Sequence, residues 1–299
     1  MRILIIGATG LIGTAVTRCL VAAGHKVAGL ARSDPNIAAI TALGATPLRV
    51  DLADPASLRA TLLNADATIC TAAIPVQDDE YSLVDRILTN YKGTGKSFIF
   101  TSGSGVLGQR SWGEWSEDSF AEDDEFIPSK YILKRRQTEL RTRAATQDNV
   151  RAMVIRPPAV WGATSHPILG LFADSLKKTG QVCYIGRGLN LYSYVHVDDL
   201  AELYLRAIEK GSAGALYHAV AGEVNNRTLA EALAVVRGVS THSVNADEAM
   251  AIWDKFAVLV VLSTCSRTRS PRARGELGWR PQQTDLVQAV LDGTLYGRA

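Results

Sequence analysis

Three glycines carry the first chemical signal. Gly7, Gly10 and Gly13 lie in Gly7-Ala8-Thr9-Gly10-Leu11-Ile12-Gly13, after the apolar run 3–6 and before a helical pattern. At such a junction backbone approaches a pyrophosphate closely, and the helix start offers free N–H groups and the positive end of its dipole. A glycine turn that merely starts a helix is the plainer alternative, but three glycines in this context favour a nucleotide. At the end of the next extended run the chain reads Leu30-Ala31-Arg32-Ser33-Asp34. An NAD site places a carboxylate there for the ribose hydroxyls, whereas a 2′-phosphate is met by a cation and small donors. Ala31 stands at the acid's position and Arg32 with Ser33 suits a phosphate, while Asp34, just before Pro35, reads as the opening of a helix or turn. NADP(H) is therefore expected ahead of NAD(H).

A second group lies mid-chain. Tyr131, Arg135 and Glu139 are spaced by four within a charged helical pattern over 129–146, which puts them on one face. A permanent cation at that spacing stabilises the ionised form of a phenol. The plainer alternative is an amphipathic helix packing at a dimer or domain face. Ser102 and Ser104 follow the strand pattern 97–101. His196 and His218 sit at strand ends, where structural or substrate-lining roles are the usual ones. Trp112, Trp115 and Trp161 fit an apolar pocket wall or ordinary packing equally well.

The elements that must position these groups follow from periodicity. Residues 3–6, 26–31, 46–50, 67–71, 97–101 and 151–156 read as strands, and 11–23, 35–43, 55–63, 83–91 and 129–146 as helices, with Asp54 as an N-cap. This alternation implies right-handed crossovers and an α/β fold with a doubly wound parallel Rossmann sheet. The acidic, tryptophan-containing stretch 109–125 reads as a surface loop or lid. Past residue 160 the alternation loosens, with helices at 167–178, 198–210, 228–236 and 283–291 and extended pieces at 194–197 and 216–219. The organisation expected is a dinucleotide-binding domain over 1–160, to which the chain returns near 190–210, and a smaller α/β substrate lobe over 161–299.

Taken together, these pieces resemble the extended and atypical short-chain dehydrogenase/reductases, the NAD-dependent epimerase/dehydratase group. The wide glycine spacing carries the resemblance, with Asp51-Leu52, Thr71-Ala72-Ala73, Phe98 to Gly103, Arg156-Pro157-Pro158-Ala159-Val160-Trp161-Gly162, Val195-His196-Val197-Asp198-Asp199 and Glu276-Leu277-Gly278-Trp279. It implies that Thr9, Leu11 and Ile12 join the loop contacts, that Asp51 and Leu52 lie near the adenine and Thr71, Ala72 and Ala73 near ribose. It also implies that Thr101, Pro158 and Val160 line the cofactor. The family's chemistry uses a proton-transferring Tyr, a Lys four residues on, and a Ser or Thr on the substrate oxygen. Here arginine stands at the lysine position, Arg135, and the hydroxyl position falls on Gly103, between Ser102 and Ser104; Ser104 substitutes better if the loop shifts by one. A rival register pairs Phe126 with Lys130, but loses the Glu139 spacing.

The function so implied is NADP(H)-dependent reduction or oxidation of a small-molecule carbonyl or alcohol. A nucleotide-sugar epimerase or dehydratase, and a non-catalytic NADP(H)-binding sensor, are the alternatives. A homodimer through 83–91 and 129–146 is the family expectation. Composition fits a globular chain, 47% apolar and 21% charged, and a net charge of +2 gives no electrostatic footprint for nucleic acid. Cys19, Cys70, Cys183 and Cys265 are too scattered for a zinc site or a disulfide framework, which suggests a reducing, cytoplasmic setting. The longest apolar run, 256–262, is too short to span a membrane and reads as a buried segment.

Overall fold

A computed structural model describes residues 1–72, 79–128, 130–162 and 166–296. β1 (Arg2–Ile6), α1 (Leu11–Ala22), β2 (Lys26–Leu30), α2 (Asp34–Ala42), β3 (Thr46–Leu48), α3 (Pro55–Asn64), β4 (Ala67–Cys70), α4 (Asp79–Tyr91) and β5 (Ser97–Thr101) alternate strictly. Next come β6 (Gln109–Arg110), α5 (Leu133–Ala144), β7 (Arg151–Arg156), β8 (Ala159–Trp161), α6 (Pro167–Thr179), β9 (Val182–Ile185), β10 (Leu191–His196), α7 (Val197–Lys210) and β11 (Leu216–His218). The last part holds β12 (Gly222–Asn225), α8 (Asn226–Arg237), β13 (Thr241–Val244), α9 (Ala246–Ile252), β14 (Thr264–Cys265), α10 (Pro271–Glu276) and α11 (Leu286–Leu291).

Seven strands form one parallel sheet in the order β11-β7-β5-β4-β1-β2-β3, with the chain reversing its direction of travel beside β1. Strand alternation explains why both faces are covered. Ile3 and Ile5 of β1 turn to one core with Val16 and Leu20 of α1 and Leu200 and Tyr204 of α7, while Leu4 and Ile6 turn to another with Leu62 of α3 and Ile87 of α4. Asp54 caps α3 as expected, accepting from the N–H groups of Ala56 and Ser57 at 3.1 Å. The fold is thus the doubly wound parallel sheet read from the alternation.

A second core gathers α6, α8 and α11 around β8, β9 and β10. β10 pairs parallel with β8 and antiparallel with β12, so residues 191–196 stand in this smaller sheet; the chain returns to the large one through α7 and β11. The apolar run 256–262 is a π-helical turn, Ala257–Leu262, that buries Val258, Val260 and Leu262. The stretch 109–125 is mostly irregular, yet it is tied down. β6 pairs with β14, Phe120 exchanges backbone bonds with Arg267 and Arg269, and Arg269 and Arg272 pair with Asp124 and Asp123. Glu122 is buried there, accepting from the backbone N–H groups of His218 and Arg272.

One expected element is displaced. The helix predicted over 129–146 begins only at Leu133, because Ile132 turns inward against Val106, Leu107 and Val260 with a non-helical backbone (φ −125°, ψ 13°). Tyr131 therefore precedes the helix and does not share a helical face with Arg135.

Glu139 of α5 is fully buried and meets Arg156 of β7, itself 1% exposed, through two parallel bonds of 2.6 and 2.5 Å. Ser102 donates to the same carboxylate at 2.6 Å and Arg136 at 3.0 Å. Burial alone would raise the carboxyl, but these donors, Arg156 foremost, outweigh it and hold Glu139 below its usual range. Arg156 also reaches Nε2 of His218, whose Nδ1–H donates to the Arg269 carbonyl; burial and that guanidinium push the imidazole down to about 3, so it is neutral. Removing one partner of a buried pair leaves an uncompensated charge, so Glu139→Gln is expected to cost about 3–5 kcal/mol in urea unfolding, and a loss below about 1 kcal/mol would show the pair to be unimportant.

Candidate functional site

The glycine loop separates into two kinds of position. Gly7 has φ +96°, and a Cβ there would lie 2.6 Å from the backbone nitrogen of Ala72, where β4 ends. A Cβ on Gly13 would lie 2.0 Å from the Gly7 carbonyl oxygen. Both glycines are demanded by the chain's own packing. Gly10 is not: among the described residues its Cβ would meet nothing closer than 3.6 Å, its φ of −77° suits any residue, and it stands exposed at the head of α1 without a side-chain cap. Glycine at that position clears space for something outside the chain, which is the room a pyrophosphate needs. A cleft of about 380 Å³ lies there, between Thr9, Gly10 and Leu11 and the N-terminus of α7 at His196 and Asp198. Arg18 also lines it, a cation not singled out from sequence. The residues present thus fit a dinucleotide.

At the end of β2, Ala31 is buried and Arg32 and Ser33 are exposed; Asp34 begins α2 and is held by Arg49. Asp51 accepts from the N–H of Ala53, and the Leu52 carbonyl accepts from Arg86. The Thr71 hydroxyl bonds the carbonyls of Ile6 and Gly7 at 3.3 Å, so it braces the loop from behind, next to Ala72. Ala73 lies outside the described residues. Thr101 shares a 2.5 Å bond with Tyr204, while Pro158 and Val160 are buried beyond β7. Leu11 and Ile12 pack their side chains onto the core.

The groups expected to do chemistry are brought to one end of the sheet, but most are already engaged. Ser102 serves Glu139, as above. Ser104 is buried, accepts from Ser266 at 3.2 Å and also bonds the Tyr192 hydroxyl. Arg135 reaches toward Gly103, where a Cβ would stand 3.9 Å from its Nη1, and forms a 2.7 Å ion pair with the buried carboxylate of Glu80. Its charge is therefore balanced inside the protein. Tyr131 is exposed on the turn before α5, beside Lys130, whose Nζ is 5.4 Å from the ring centroid. Phe126 of the rival register packs under Arg136 and Arg156, each 5.1 Å from its ring, a structural position. His196 caps α7 and stacks edge-on against Trp161, and His218 belongs to the buried network. Trp112 and Trp115 lie on the outer loop beside Arg110 and Arg267.

Sequence reasoning missed Glu80, Tyr192 and Ser266. Each acts through a partner 55 to 162 residues away, and no local spacing marks such pairs. Among the described residues no group of three His, Cys, Asp or Glu side chains could hold a metal, and no helix is long and apolar enough to cross a membrane.

Residues 3–221 match the NAD dependent epimerase/dehydratase family, and the chain belongs to that family. It is 32% identical over 306 residues to the uncharacterized protein C2A9.02 of Schizosaccharomyces pombe, covering 99% of this chain and all of that one. It is 28% identical to a sterol-4-alpha-carboxylate 3-dehydrogenase (decarboxylating) of Dictyostelium discoideum, over 82% of this chain and 79% of the relative. Among solved structures, the UDP-glucuronic acid 4-epimerase of Bacillus cereus, in complex with UDP-glucuronic acid and NAD, superposes with a TM-score of 0.77 at 19% identity, covering 98% of both chains.

The division within the loop is testable. Gly10→Ala is expected to fold normally yet bind NADPH at least about tenfold more weakly, since a methyl group would occupy the phosphate's approach. Gly13→Ala, by contrast, should lower thermal stability through its clash with Gly7. Wild-type NADPH affinity in Gly10→Ala, measured by calorimetric titration, would remove the case for a cradle.

Proposed function

We propose that this protein is an NADP(H)-dependent reductase or dehydrogenase acting on a carbonyl or alcohol of a small organic molecule. The observation that carries the reading is Gly10, a glycine that the fold itself does not require, at the head of α1. In this assignment Gly7, Thr9, Gly10, Leu11, Ile12 and Gly13 hold the pyrophosphate, and Arg32 with Ser33 receives the 2′-phosphate. Asp51 and Leu52 flank the adenine, and Thr71, Ala72, Ala73, Thr101, Pro158 and Val160 line the remainder. The absence of an acid at position 31 and the engagement of Asp34 by Arg49 support NADP(H) over NAD(H). The nicotinamide supplies a two-electron donor or acceptor when bound.

The chain's own part is to place the substrate oxygen and move its proton. Tyr131 is the proposed proton donor. Ser104, polarised within its hydroxyl cluster, orients the oxygen, with Ser102 behind it on Glu139. Arg135 positions the floor beside Gly103; paired with Glu80, it gives the phenol less electrostatic help than an unpaired cation would. The dehydrogenase relative from Dictyostelium supports oxidoreductase chemistry. α4 and α5 pack side by side and expose Tyr81, Leu133 and Leu140, the surface proposed for a homodimer.

A second reading, an NADP(H) sensor without turnover, is favoured by that same Arg135–Glu80 pair. Two substitutions separate the possibilities. Tyr131→Phe is expected to cut NADPH oxidation with a panel of aldehydes and ketones by about a hundredfold or more, the usual worth of a positioned acid. Tight NADPH binding with no turnover of any carbonyl in the wild type would favour the sensor. Arg32→Ala is expected to weaken NADPH binding at least about tenfold while leaving NADH binding nearly unchanged; equal losses would overturn the cofactor assignment.

A further inference from the structure

Tyr131 lines a groove of about 400 Å³ that lies outside the nucleotide cleft. One wall is the turn bearing Gly105 and Gly108, the opposite wall is Ile127, Pro128, Lys130 and Tyr131, and the floor is Ile132 with Leu259 and Val260 of the π-helical turn. Thr264 also lines it, but its hydroxyl is turned onto the carbonyls of Val260 and Val261. The floor is therefore apolar.

The rim is cationic. Arg110 and Lys130 stand at its mouth, both exposed, and no carboxylate lines the groove among the described residues. Arg110 bonds the Leu259 carbonyl at 3.4 Å and lies 5.9 Å from the Trp112 ring, and Lys130 rests near the Tyr131 ring. That pattern runs against the surroundings. The stretch 114–125 carries seven acidic side chains, and those at 123 and 124 pair with arginines from 267–272. Glu114 faces Arg187 and Glu122 is buried on backbone N–H groups. Among the described residues, the acid-rich loop thus leaves Arg110 without a carboxylate, at the edge of an apolar groove that also holds a phenol.

We infer that this groove binds the substrate through an apolar chain seated on Ile132, Leu259 and Val260 and a carboxylate received by Arg110 and Lys130. The ligand class is a medium-chain amphipathic carboxylate. The inference rests on the reductase reading only in that Tyr131 is shared.

Equilibrium binding tests it without turnover, using octanoate and the neutral octanamide as probes on the full chain. Octanoate is expected to bind about tenfold more tightly than octanamide at low salt, an advantage lost in Arg110→Gln and in Lys130→Gln and reduced at high salt. NADPH binding to both variants should stay at the wild-type level, which certifies their fold. Equal affinity for the two probes, no binding of octanoate, or unchanged octanoate affinity in both variants would overturn the inference. Octanoate selectivity without reduction of any carbonyl compound sustains the groove and removes the reductase; turnover of neutral ketones without octanoate selectivity does the reverse.

Discussion

The bidentate contact between Glu139 and Arg156 fastens a helix and an outer loop to strands that the sheet already sets side by side. It joins α5 to β7 beneath the carboxyl ends of the strands, takes a third bond from Ser102 after β5, and reaches β11 through His218. Phe126 lies against both guanidiniums of the cluster, so the outer loop is drawn onto the same point. A buried ion pair is weak evidence for stability as such, because two desolvated charges nearly cancel their attraction. Its worth here is geometric: it fixes the Ser102 hydroxyl on a stretch whose backbone is already held by bonds from Ser102 to Ile155 and from Ser104 to Pro157.

The glycine loop shows how a motif can be overread and underread at once. Two of its three glycines answer to contacts inside the chain, and a structure lacking any ligand would still need them. Only the middle one points outward. Motif matching treats the three as equivalent evidence for a nucleotide, whereas the functional weight falls on the position where steric necessity is missing.

Much of the fold was legible because the parallel sheet imposes short-range rules. Strands such as β1, β4 and β5, covered on both faces, read as continuous apolar runs, and Asp54 announced α3 by capping chemistry alone. The start of α5 was not legible, since it depends on Ile132 finding Val106 and Val260, contacts that no helical period encodes. The engagement of Arg135 was hidden for the same reason. Position 135 matches the family's lysine in spacing, but its meaning is set by Glu80, far off in the chain. Arg269 and Arg272 likewise take their role from acidic partners about 150 residues earlier.

That last separation bears on how the molecule is made. The sheet from β1 to β7 can collapse once its crossovers exist, and domains begin to fold while the chain is still being synthesised. The stretch 109–125 emerges early, with an acid-rich surface and tryptophans that have nothing to cover. Its fasteners, Arg267, Arg269, Arg272 and the two-residue strand β14, follow only about 150 residues later. Ala273, Leu277 and Trp279, from the same late stretch, bury themselves in the core that β1, α1 and α7 share, so that core is still incomplete while the wall over the proposed substrate groove is unbuilt. One segment thus finishes both the outer loop and the core behind the large sheet, and neither is complete without the other.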